Sequence, residues 1–463
     1  VSYGTERLSL RVVSGEHPDA PALVVPGRRP LTFRDLAERA GAETAGVPEL
    51  AELARTGCRV GLVATPSVET VARFFGLADA GVTVVPLHPR GVTGEWRARA
   101  TAVGCRILLG PDGGVTRLPP PAEDAGTPTA PGPERPLAVL FTSGSTGTPR
   151  GVVLSRRAFA AAASASAERL GWRPDDRWLC VLPLAHVGGL SILVRSLLAA
   201  RPVVLHPAFD PAEVAASIDR EGVTLASFVP TMVARLLDEC PDWRPPPRLR
   251  AVLLGGAAGG PELWATALER GLPLLETYGM TETCSQVATA VPGSYPRTMR
   301  PLPGFDVRER DGRIEVRGPM LFTRYLPESA HESPFTPDGW FRTGDAGRLR
   351  DDGSLEPLGR SDDTIVTGGE NVAPAEIEHL LETHPAVRRA SVIGLPDRLW
   401  GEIIAAALVS VDGTPGPSEE ELRSWLERRL APFRRPRRFA WVERLPETPT
   451  GKVDRREVRR LFE

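Results

Sequence analysis

Of the 56 lysine and arginine residues in this chain, 55 are arginine and one is lysine, Lys452. A lone ammonium kept where arginine serves everywhere else points to a site that uses it; the plainer reading is a solvated residue beside a terminal amphipathic helix. A second chemical signal lies at 137–155, LAVLFTSGSTGTPRGVVLS. An apolar strand runs into Thr142, Ser143, Gly144, Ser145, Thr146, Gly147 and Thr148, then Pro149, Arg150 and Gly151 lead into a second apolar run. Glycines let backbone N–H groups close on an anion and the hydroxyls add donors, so such a loop can wrap a polyphosphate. It lacks the GK[ST] ending of a Walker loop, and the alternative is a flexible Ser/Gly turn. The third signal is Arg195, inside the apolar helix predicted within 182–200. A charge there must be paired or face a cavity, and its partner is either a protein carboxylate or a ligand anion.

These groups need a scaffold. Residues 60–86 read as strand, helix, strand, with the near-continuous apolar strands of a parallel sheet buried on both faces. The alternation returns in VVLHP, AEVAASIDREG, LASFVP, MVARLLDE and AVLLGG, between 203 and 256. Residues 111–136 are rich in proline and glycine and read as a surface loop or linker. After about residue 300, short strands punctuated by Gly and Asp suggest a small antiparallel region, and from 363 a compact segment of about 100 residues suffices for a separate domain. The predicted class is α/β: a large domain over 1–361 with a β-rich part, and a small α+β domain over 362–463.

With 463 residues, 41% hydrophobic and 25% charged, the chain has ample core and is neither disordered nor fibrous. The balance of 56 basic and 58 acidic residues leaves no global field to recruit nucleic acid or anionic membrane. Five scattered cysteines without a CxxC argue against a disulfide framework or zinc site and fit a reducing cytosol. No apolar stretch reaches the ~20 residues a bilayer requires, so small-molecule chemistry in the cytoplasm is expected, with homo-oligomerisation left open.

The loop at 142–150 resembles the phosphate-binding motif of the adenylate-forming superfamily of acyl-CoA synthetases, nonribosomal adenylation domains and luciferases, with Arg150 where lysine is usual. Further motifs stand in the order that family has, along nearly the whole chain. The resemblance implies that Tyr278 and Gly279, in LETYGMTET with Thr277, lie against adenine, beside Gly255, Gly256 and Ala257. It implies that the Thr281 hydroxyl meets the α-phosphate and that Glu282 helps hold Mg²⁺, for which a carboxylate is a suitable hard ligand. Read alone, the segment is a strand and turn whose Thr and Glu cap a following helix. Asp345 in GWFRTGDAG and Arg360 in LGRSDD would grip the ribose, although blind they are hairpin turns.

The same resemblance makes Lys452 the ammonium that stands between two anions, a carboxylate and the α-phosphate, during adenylation. Asp362 maps to the hinge about which the small domain exchanges the Lys452 loop for Gly368, Gly369, Glu370 and Asn371. That GGEN form resembles acyl- and aryl-CoA ligases, so coenzyme A is the expected acceptor, with ATP and Mg²⁺ as the other cofactors. The run Arg434, Arg435, Arg437 and Arg438 is either a contact for CoA phosphates or a solvated basic face. Within the superfamily, His186 followed by Gly-Gly-Leu-Ser and then Arg195 resembles the o-succinylbenzoate–CoA ligases of menaquinone biosynthesis. His186 would border the reacting carboxylate, Arg195 would meet the second one, and Ser191, Thr277 and Ser285 would line the acyl pocket. Other readings are a different aryl- or acyl-CoA ligase, an enzyme loading a carrier protein, or a non-catalytic nucleotide-binding relic.

Overall fold

The computed structural model describes residues 2–463 apart from 48, 120–131, 143–149, 257–259, 294–297, 328–332, 361–362, 364, 368–369, 373, 398–399, 414–415, 431 and 449–450. Three sheets organise the described residues. In the first, Arg59–Val63 pairs in parallel with Thr83–Leu87 and with Cys105–Leu109, and Thr83–Leu87 pairs in parallel with Pro136–Thr142. The first two are buried along their whole length, as their apolar sequences require. The connecting helix Val68–Asp79 starts where the Ser67 hydroxyl accepts the Thr70 N–H, and it packs its apolar face on the sheet. The expected loop at 111–136 contains one short strand, Val115–Arg117, laid antiparallel on Cys105–Leu109. Its most proline-rich part lies outside the described residues.

The second sheet carries the other parallel run: Val203–Leu205, Trp178–Cys180, Leu225–Phe228, Ala251–Leu254 and Leu274–Met280 lie side by side. The direction then reverses, because Leu274–Met280 pairs antiparallel with Ser285–Ala290. The reversal is tight. A Cβ at Gly279 would lie 1.8 Å from the Ser285 carbonyl oxygen, and Cys284 and Ser285 take positive φ values of 52° and 97°. The helix that Thr and Glu could have capped is therefore a single 3₁₀ turn, Thr281–Thr283, followed by a strand. The antiparallel strands found after residue 299 extend this same sheet through Met299–Pro301 and Leu355–Arg360.

Helix Val187–Ala199 is largely apolar, Ser191, Arg195 and Ser196 apart, and is buried from Gly189 to Leu198. A Cβ on Gly189 would meet the Pro183 carbonyl at 2.4 Å, so the helix start is pressed onto the strand-end segment before it. The large core joins both sheets through this helix and Arg156–Leu170. Each fully buried Leu or Phe in it, such as Phe33 or Phe159, contributes about 1.5–3 kcal/mol. The carboxy-terminal residues build the third sheet, centred on Val387–Asp397 and Gly401–Ser410, with cores of its own on either face. No helix is long and apolar enough to cross a membrane among the described residues.

Candidate active site

Parallel strands deliver their carboxyl ends to one place, and in α/β sheets that end is where ligands are held. Thr83–Leu87 is followed by His88, and Pro136–Thr142 by the Ser/Gly loop. Trp178–Cys180 leads to His186, Ala251–Leu254 to Gly255 and Gly256, and Leu274–Met280 to Thr281 and Glu282. Two contacts bridge the two sheets across this cleft. The rings of His88 and His186 lie 5.5 Å apart, and the Tyr325 hydroxyl donates to Glu282 Oε1 at 3.0 Å.

Asp345 and Arg360 face each other in register on adjacent antiparallel strands, with Arg360 Nη1 3.3 Å from Asp345 Oδ1. The second carboxylate oxygen accepts the Tyr278 hydroxyl at 2.7 Å. Burial raises the Asp345 pKa, against the Tyr278 hydrogen bond and the charges of Arg360 and Lys452. A carboxylate has about four acceptor positions, so both oxygens can still receive ligand hydroxyls. The Thr277 hydroxyl is engaged inside the sheet, donating to the Ala288 carbonyl at 3.1 Å and sharing a 2.8 Å bond with Thr289. The Ser191 hydroxyl likewise donates within its own helix, to the Gly188 carbonyl at 3.2 Å.

Thr281 opens the 3₁₀ turn half-exposed, and its hydroxyl has no partner among the described residues. Beside it, burial raises the Glu282 pKa while the Tyr325 hydroxyl and Arg360 lower it. No cluster of three His, Cys, Asp or Glu side chains exists among the described residues. One carboxylate of this kind suits Mg²⁺ that takes its remaining oxygens from phosphate and water, and does not suit an ion held by protein alone. Arg150 pairs with Thr142 across the neck of the hairpin and lays its guanidinium over the Tyr325 ring, 5.6 Å from the centroid.

Lys452 arrives from the carboxy-terminal region. Its backbone carbonyl accepts the Thr448 N–H at 2.7 Å, and its N–H donates to the Thr448 hydroxyl at 3.3 Å. A Cβ at the neighbouring Gly451 would sit 3.4 Å from Thr231 Oγ1, so this loop rests against the helix Pro230–Glu239. The residue stays open to solvent, with its ammonium in electrostatic reach of Asp345, Arg360 and Glu282. Burial there lowers its pKa, Asp345 and Glu282 oppose the shift and Arg360 adds to it.

His186 precedes helix Val187–Ala199. Burial, then the charges of His88, Lys452 and Arg99, pull its pKa down to about 4. A histidine kept neutral in the fold but free to protonate near pH ~6.5 when unfolded makes stability fall as pH drops from ~6.5 towards ~4. Thermal melts across that range should show a shallower loss for His186→Gln than for the wild-type chain. Equal slopes would remove His186 from the acid sensitivity.

Arg195 is 3% exposed, and its guanidinium lies over the Trp178 ring at 5.6 Å. Its Nε and Nη2 have no hydrogen-bond partner, and no carboxylate pairs with it among the described residues. Burial lowers its pKa to about 10, and the one opposing influence is the Cys284 thiol. Of the two partners foreseen, the protein carboxylate is thus not found among the described residues.

Ser143, Gly144, Ser145, Thr146, Gly147, Thr148, Ala257, Asp362, Gly368 and Gly369 lie outside the described residues. Glu370 and Asn371 begin the strand Glu370–Val372. In the basic run, Arg434 pairs with Glu376, Arg437 stacks on Trp400 at 4.0 Å and Arg438 lies over Phe462 at 5.4 Å. Three neighbours of the cleft escaped the sequence reading: His88, Arg99 and Tyr325. Only the position of His88 straight after a buried strand could have drawn attention to it.

Comparison with known proteins agrees with this geometry. The family model for AMP-binding enzymes matches residues 10–326, and the model of the AMP-binding enzyme C-terminal domain matches 376–452. A 2-succinylbenzoate–CoA ligase of Bacillus licheniformis is 39% identical over 337 residues, 69% of each chain. One from Bacillus cereus is 32% identical over 435 residues, 88% of this chain and 89% of that one. Among solved structures, the Bacillus subtilis o-succinylbenzoate CoA synthetase in complex with its acyl-adenylate intermediate superimposes with a TM-score of 0.83 at 31% identity, covering 97% of both chains. ATP-bound MatB of Rhodopseudomonas palustris gives 0.85 at 27% identity over 99% of both. A chain that places its strand ends, its Asp345–Arg360 pair and its one lysine around a common cleft, and that these models match over most of its length, belongs to the AMP-binding enzyme family.

Proposed function

We propose that this chain is an ATP-dependent acid–thiol ligase that converts o-succinylbenzoate to its coenzyme A thioester through an acyl-adenylate. The observation that carries the choice of acid is Arg195: a buried guanidinium with two unbonded nitrogens and no carboxylate partner among the described residues suits a substrate with a second carboxylate. The named relatives act on such an acid, and the cleft geometry supports the adenylating half of the reaction.

In the first half-reaction a carboxylate oxygen attacks the α-phosphorus of ATP and the bond to pyrophosphate breaks. Lys452 stands between the two anions and stabilises charge on the phosphorus oxygens, with the Thr281 hydroxyl as a second donor. The loop at 143–149 and Arg150 hold the departing phosphates, and Asp345 and Arg360 fix the ribose. Glu282 would hold Mg²⁺, which when bound would supply neutralisation of the phosphate charge. His186, Ser191, Thr277 and Ser285 surround the acyl group, and a neutral His186 places no competing cation beside the reacting carboxylate. In the second half-reaction the CoA sulfur attacks the acyl carbon, the bond to AMP breaks, and the thiol proton leaves to solvent. For this step residues 362–463 turn about Asp362, withdrawing Lys452 and presenting the loop 368–371. A cytoplasmic enzyme, alone or as a homo-oligomer, fits the same reading.

Pyrophosphate release and thioester formation test it. Release is expected with o-succinylbenzoate and CoA, with little from benzoate or fatty acids. Release driven by a monocarboxylate and not by o-succinylbenzoate would refute the acid assignment.

A further inference from the structure

Glu282 is held at three points. Its carbonyl accepts the Phe322 N–H at 2.9 Å, its carboxylate accepts the Tyr325 hydroxyl at 3.0 Å, and the 3₁₀ turn fixes its backbone. Tyr325 itself has little freedom. It lies on the strand Arg324–Leu326, paired with Val152 of the strand that begins at Arg150. Its ring packs 4.6 Å from Phe322, which also contacts Phe335 at 5.2 Å and Phe341 at 5.1 Å. The face of the same ring lies under the Arg150 guanidinium. A planar guanidinium suits that stacking better than a lysine ammonium, and this chain has arginine there.

We infer that Tyr325 is a positioning residue that orients the Glu282 carboxylate toward the metal–nucleotide complex and ties it to the phosphate-loop cation Arg150. This rests on the reading of Glu282 as a ligand of nucleotide-bound Mg²⁺. Groups one shell out from a metal that orient its carboxylate ligand change metal affinity by about 10–100-fold when removed.

Calorimetric titration of the full chain with ATP, in EDTA and at rising Mg²⁺, tests the inference. Tyr325→Phe should bind metal-free ATP like the wild-type chain and require about tenfold more Mg²⁺ to gain the same affinity. Glu282→Gln should lose most of the Mg²⁺-dependent gain. In the double variant the tyrosine change should add nothing further, because it acts through the carboxylate. If Tyr325→Phe melts early, with Glu282 left without its donor, the double variant should recover the melting temperature. Wild-type Mg²⁺ dependence in Tyr325→Phe, or additive losses in the double variant, overturns the inference while leaving the metal reading intact. A wild-type Mg²⁺ response in Glu282→Gln overturns the metal reading and the inference with it.

Discussion

Lys452→Ala is expected to slow adenylation by about 10²–10³-fold, the cost of removing one preorganised donor from a transition state, while a supplied acyl-adenylate is still converted to thioester. The expectation comes from position. The ammonium sits in electrostatic reach of Asp345, Glu282 and Arg360, on the side of the cleft that the proposed function gives to the nucleotide, and also of His186, on the side it gives to the acyl group. A group shared between those sides acts where carboxylate and phosphate must meet. Thiol attack needs no such bridge, because only one anion, the leaving AMP, is then formed at that point. Lys452→Arg keeps the charge and should recover little, since a planar fork cannot take the place of a compact ammonium on this loop. Pyrophosphate exchange measures the first half-reaction, and thioester yield from synthetic adenylate measures the second. Equal loss in both would show that one conformation serves both steps.

Arg195→Met separates substrate recognition from stability. A buried ion pair loses about 3–5 kcal/mol when one partner is removed. Here no carboxylate among the described residues would be stranded, and methionine fills much of the same space. The melting temperature should therefore stay level or rise. The KM for o-succinylbenzoate should increase by about 10²-fold or more, with little change for an analogue lacking the second carboxylate. A protein that melts early and handles both acids equally poorly would show that Arg195 is structural.

Much of the cleft was legible because its chemistry is local in sequence. The buried parallel strands announce themselves as apolar runs, and the turn at Thr281 and the lone Lys452 are each read within about ten residues, while the loop at 143–149 lies outside the described residues. What escaped depends on distance. Tyr325 lies 43 positions from Glu282, and His88 nearly 100 from His186; neither pairing has a spacing that propensity or periodicity could register. The continuity of the antiparallel strands with the large sheet was hidden for a similar reason, since it is made by strand pairing at Met299–Pro301. Arg195 could be recognised as anomalous from its apolar surroundings, but whether a carboxylate faced it was a question only the packed helix could answer.

That unanswered guanidinium also bears on how long the protein survives between catalytic cycles. A buried cation with no carboxylate partner among the described residues taxes the fold, and an anion that reaches it binds the native state and not the unfolded chain, which raises stability by RT ln(1 + [L]/Kd). On the reading proposed for Arg195, supply of the dicarboxylate and lifetime of the enzyme are coupled: protease susceptibility falls when the upstream reaction that makes the acid is running, and rises when it stops.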